Sequence, residues 1–114
     1  MTSQEFRRLA LSLPEASEQA HMGHPDFRVA GKIFATLGYP ESGWGMVKLT
    51  PIEQEMLVKA QPTVFVPAKG AWGQRGATCL RLKGVRAATL RRALRAAWLL
   101  AAPKPLASKL ESES

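Results

Sequence analysis

The chain has 114 residues, 46% of them apolar, with a formal net charge of +7 and a single cysteine, Cys79. That length suits one domain with its own core. The lone cysteine excludes an internal disulfide and fits a reducing compartment. No apolar run approaches the ~18 residues of a membrane span, and Met1 to Glu5 lacks the basic-then-apolar order of a secretory signal. A cytoplasmic protein, monomer or weak homodimer, with no membrane contact is the expectation.

Charge is divided unevenly. Residues 1–57 carry five Lys/Arg and seven Asp/Glu; residues 58–114 carry eleven and two. Between Met56 and Leu110 there is no acidic residue. Such a field attracts anions, and nucleic acid is the commonest large one. The plainer alternative is a surface kept charged for solubility.

In chain order, Thr2 and Glu5 form a capping-box pattern ahead of Phe6, Leu9, Ala10 and Leu13 at helical spacing. A helix is expected over residues 3–13, ended by Pro14. Ser17 to Met22 reads as a weaker strand. Asp26–Ala30 and Lys32–Leu37 read as strands joined by a tight Ala30-Gly31 turn. Residues 38–43 form a loop, then Trp44–Leu49 a strand. Thr50-Pro51-Ile52-Glu53 starts a helix to about Ala60. Val64–Val66 is a short strand and Lys69–Gly76 a glycine-rich loop. Thr78–Leu82 is the last strand. Residues 86–101 form a helix stopped by Pro103 and Pro105. Residues 1–107 make one domain, and 108–114 a polar tail expected to be disordered. The connections between consecutive strands are too short for parallel crossovers. The expected fold is α+β, a mostly antiparallel sheet of five or six strands with helices on one face.

Alternation assigns Phe27, Val29, Ile33, Ala35, Leu37, Val47, Leu49, Val64, Val66, Leu80 and Leu82 to the core face. Arg28, Lys32, Phe34, Trp44, Met46, Lys48, Phe65, Cys79 and Arg81 fall on the other. Cations beside flat rings would stack bases and neutralise phosphates. Lys69, Trp72 and Arg75 on the glycine-rich loop, and Arg91, Arg92 and Arg95 on the last helix, extend the candidate nucleic-acid surface. The bland alternative is a solvated face whose basic stems cover apolar surface. No catalytic residue stands out. His21 and His24 lack further ligands for a metal and read as a structural turn. Cys79 has no patterned base, and no cofactor motif is present.

His24-Pro25-Asp26-Phe27-Arg28-Val29-Ala30-Gly31-Lys32-Ile33-Phe34-Ala35 resembles the MmcQ/YjbR family. The resemblance continues through Trp44, Lys48-Leu49, Pro62, Phe65-Val66-Pro67-Ala68, Ala97-Trp98 and Ala102-Pro103-Lys104, about residues 2–107 in all. It implies a frataxin-like α+β fold and DNA binding. Members often carry tryptophan after the glycine matching Gly76; here Ala77 stands there. Frataxin's iron-handling acidic surface has no counterpart in this chain, so no iron role follows. A non-catalytic nucleic-acid (DNA) binding module is the leading functional expectation. A module for an acidic protein or small anion is the alternative. An enzyme using His24 and Arg28 on an anionic substrate is a third.

Overall fold

A computed structural model describes residues 1–113. Six strands form one wholly antiparallel sheet in the order β1-β2-β3-β4-β6-β5. The strands are β1 Ser17–His21, β2 His24–Val29, β3 Lys32–Leu37, β4 Trp44–Lys48, β5 Phe65–Pro67 and β6 Ala77–Arg81. The helices are α1 Ser3–Leu11, α2 Pro51–Ala60, α3 Gly70–Gln74, α4 Ala87–Ala101 and α5 Lys104–Glu113.

Both expected capping boxes form. Thr2 Oγ1 accepts from Glu5 N at 3.1 Å and Glu5 accepts from Thr2 N at 3.1 Å. Thr50 and Glu53 repeat the pattern at the start of α2, with Pro51 in the first turn, where its missing N–H costs nothing. The β1–β2 and β2–β3 hairpins turn on Met22-Gly23 and Ala30-Gly31, all four residues at positive φ. That geometry matches the right-handed twist of the flanking strands, and it favours glycine at the second position.

The apolar stripes of α1 and α4 pack on one sheet face. Phe6, Leu9, Leu90, Leu94 and Trp98 meet Phe27, Ala35, Val47 and Leu80 in the main core. Trp98 is fully buried, and its indole N–H donates to the Pro14 carbonyl at 2.9 Å, tying α4 to the end of α1. The opposite face carries a smaller cluster of Met46, Ala68, Ala77 and Cys79, against which Tyr39 and Trp44 pack.

Several face assignments need correction. Phe34 is fully buried in the main core. The cause is a β-bulge: Phe27 pairs with Ala35 but Arg28 pairs with Ile33, leaving Phe34 as the extra residue. The bulge reverses the alternation, so Phe34 turns inward and Ile33 is left half-exposed. Phe65 pairs with Leu80 and so enters the core, which turns Val66 outward, while Val64 just ahead of β5 is buried as expected. Met46 and Cys79 do lie on the second face, but they are buried there. The glycine-rich loop contains the short helix α3. The residues expected as a disordered tail belong, up to Glu113, to α5. Pro105 falls in its first turn, where proline is tolerated, and Leu106 and Leu110 lean on the core. Ser114 lies outside the described residues.

Candidate nucleic-acid interface

The outward face is anchored by a buried charge. Asp26, Thr36, Met46 and Cys79 stand in one cross-strand row. Asp26 is fully buried on the inner side of the β1 edge strand. Arg28 meets it with two bonds, Nε to Oδ1 at 2.7 Å and Nη2 to Oδ2 at 3.0 Å. His21 Nδ1 lies 2.7 Å from Oδ2. The Arg28 hydrogen bonds hold the Asp26 carboxyl below its ordinary pKa, with a smaller contribution from His21, while burial opposes them. Arg28 itself is raised by the same partner. Thr36 Oγ1, beside Asp26 in the row, is buried with no protein hydrogen-bond partner.

Arg28 also opens onto a cleft. One chamber, about 450 Å³, is lined by Arg28, Gly31, Lys32, Ile33, Lys48 and the last turns of α4 at Ala97, Leu100 and Ala101. A second chamber, about 250 Å³, is lined by Lys48, Leu49, Trp72, Arg75, Ala77 and Leu100. Lys48 and Leu100 belong to both, so the chambers adjoin across these two side chains, and together they are the cleft. Lys32, Lys48 and Arg75 are exposed, and none has an ion pair with a carboxylate among the described residues. The carbonyl end of α4 borders the first chamber. Its dipole is worth about half a negative charge and Asp26 offsets Arg28, so Lys32, Lys48 and Arg75 leave the cleft positive.

Local sequence explains how Trp72 reaches this cleft. A Cβ on Gly73 would collide with the Ala68 carbonyl, so glycine lets α3 press onto the strand beside it. Gln54 Nε2 donates to the carbonyls of Gly73 at 3.0 Å and Ala77 at 2.9 Å, pinning α2, α3 and β6 together. Tyr39 lies 6.0 Å from Trp72, ring centre to ring centre, and His24 meets Tyr39 edge-on at 5.9 Å.

The expected site residues therefore fall into separate places. Arg28, Lys32, Lys48, Trp72 and Arg75 converge on the cleft. Trp44 is half-buried, with the Arg81 guanidinium 4.4 Å over its ring, so one ring face is already taken. Trp44 and Lys69 border a third, mostly apolar cavity of about 290 Å³ with Tyr39, Val66 and Cys79. Burial pushes the Cys79 thiol up to about 11, away from a reactive thiolate. Arg91 and Arg92 lie exposed on α4, whose buried residues face the sheet, and line none of these cavities; Arg95 is half-buried. Phe34 is removed from the surface altogether. Sequence reading missed Asp26, Tyr39, Gln54 and Leu100. Only Asp26 had a signal, as the acid between two histidines and an arginine. Among the described residues no three His, Cys, Asp or Glu side chains gather as a metal site, and no helix is long and apolar enough to cross a membrane.

A family model described as YjbR matches residues 11–100. The chain belongs to the YjbR family. The crystal structure of Deinococcus radiodurans protein DR2400, whose domain is described as DUF419, is similar to this YjbR chain. The two share 22% identity with a TM-score of 0.74, over 87% of this chain and 77% of that one. That likeness bears on the fold. No curated protein matches this YjbR chain.

Proposed function

We propose that this YjbR domain is a non-catalytic nucleic-acid-binding module, with DNA as its ligand and the cleft as its contact surface. One observation carries the reading: Arg28, Lys32, Lys48 and Arg75 surround a single concavity, three of them without carboxylate partners, beside a half-exposed indole. Phosphates satisfy such cations, and the counterions they displace drive binding. The expected sheet-wide platform is replaced by this smaller surface, because Phe34 and Phe65 are in the core and Met46 and Cys79 are covered.

Anisotropy of a labelled DNA oligonucleotide, titrated at about 50 mM and about 200 mM salt, tests the reading. Affinity is expected to fall steeply between the two salts. The Lys32→Ala/Lys48→Ala double variant is expected to bind at least about tenfold more weakly, roughly the worth of two charge-assisted bonds to phosphate. A folded wild-type protein that fails to bind DNA at the lower salt would refute the proposal.

A further inference from the structure

The exposed apolar groups beside these cations say more than charge does. Trp72 is 47% exposed and Leu100 52% exposed, and both border the smaller chamber. Tyr39 packs tilted against the indole, and His24 meets Tyr39 edge-on, so the ring is held from one side. This half-exposed ring shares its chamber with Lys48 and Arg75, so apolar ring surface and two cations lie together. Arg28 answers the buried Asp26, and the carbonyl end of α4 gives Lys32 and Lys48 a structural reason to gather. It gives no reason for Trp72 and Arg75 in the second chamber.

A base fits these features and a duplex does not. Paired bases present only groove edges and phosphates to the outside. Laying one on Trp72 would first require unstacking it, at a cost of a few kcal/mol. An unpaired base reaches the ring without that cost, and stacking is tolerant of base identity. Two adjoining chambers, one lined by Arg28, Lys32 and Lys48 and one bordered by the indole, also suit a chain that alternates flat base and charged phosphate. We infer that the cleft takes single-stranded nucleic acid in preference to duplex, with one base stacked on Trp72 and the flanking phosphates held by Lys48, Lys32 and Arg75. The inference rests on the reading of the cleft as a nucleic-acid surface, and adds the class of strand it accepts.

The test uses the full chain and three labelled DNA probes of about a dozen nucleotides, within the span of known single-strand sites. They are oligothymidine, a blunt-ended duplex without unpaired bases, and an abasic strand with the same number of phosphates as the oligothymidine. Oligothymidine is expected to bind about tenfold or more tighter than either other probe. Trp72→Ala should weaken oligothymidine binding by roughly five- to a hundredfold, the range of a lost base stack, while hardly moving the other two. Trp72→Phe, which keeps a ring, should retain most of the affinity. Lys32→Ala/Lys48→Ala should weaken all three probes alike. Duplex binding as tightly as oligothymidine, or Trp72→Ala weakening every probe equally, overturns the strand preference while leaving the cleft as a nucleic-acid surface. Failure of every probe to bind at low salt overturns both.

Discussion

Asp26 is the residue on which the outward face turns. A buried carboxylate costs several kcal/mol unless its oxygens are well bonded. Here Arg28 engages both oxygens and His21 one of them. The pair also fixes the side chain of Arg28, a residue that lines the cleft, so a stability device and the proposed contact share one residue. Asp26→Asn keeps the volume and removes the charge. It is expected to lower stability by about 1–3 kcal/mol at neutral pH, the worth of hydrogen bonds to a charged group. The sign with pH follows from linkage. The Asp26 pKa is depressed by folding, so its contribution is complete above the unfolded value of about 3.9 and drains away as pH falls through the lower folded value. Glu5, also depressed by its cap bonds to Thr2, contributes in the same direction, but it is present in both proteins and cancels in their difference. Urea unfolding of wild type and Asp26→Asn at pH 7 and in acid measures this. The gap between them should close below about pH 4; a gap that persists unchanged in acid would show that the charge of Asp26 is not what stabilises the fold.

At the scale of elements, the two-residue hairpins carry a visible compromise. Ala30 and Met22 sit at φ 51° and 49°, the left-handed region that a Cβ disfavours. Ala30 is exposed, so replacing it disturbs no packing. Asparagine tolerates this conformation and forms the preferred Asn-Gly turn. Ala30→Asn is therefore expected to raise stability by about 0.5–1 kcal/mol, read as a higher urea midpoint with an unchanged slope. The hairpin was legible in advance because Gly31 sits between two alternating runs. The capping boxes were legible for a similar reason, since Thr-x-x-Glu acts within one turn of helix. The bulge at Phe34 was not, because nothing local distinguishes an extra residue from the next step of a regular strand. That single step moved Phe34 from the expected binding face into the core. Helix α5 escaped for the opposite reason. Pro103 and Pro105 signal helix stops, yet Pro105 in a first turn permits a helix whose Leu106 and Leu110 can then reach the core. The cleft is half legible: charge and alternation point to its cations, but Leu100 enters it, and Tyr39 meets Trp72, only once α4 and the 38–43 loop are folded against the sheet.

For the whole molecule the question is whether net charge or its placement governs binding. A formal +7 attracts polyanions wherever the charges stand. The fold separates two groups of them. Lys32 and Lys48 face the cleft, while Arg91 and Arg92 lie on α4 away from its buried side. Arg95 has an interaction partner of its own and is a poorer probe. Removing either pair to alanine subtracts the same two charges from the molecule. If the general field dominates, both double variants lose equal affinity for oligothymidine. If the cleft binds, Arg91→Ala/Arg92→Ala changes affinity by no more than about twofold, as expected from slightly weaker long-range attraction. Lys32→Ala/Lys48→Ala then also flattens the dependence of log affinity on log salt, by about 0.7 for each single-strand phosphate that is no longer neutralised. The slope separates a contact from a distant charge, because a counterion is released only where a cation takes its place on the phosphate. Equal affinities and equal slopes for the two double variants would assign binding to the surface at large rather than to the cleft between α4 and the sheet.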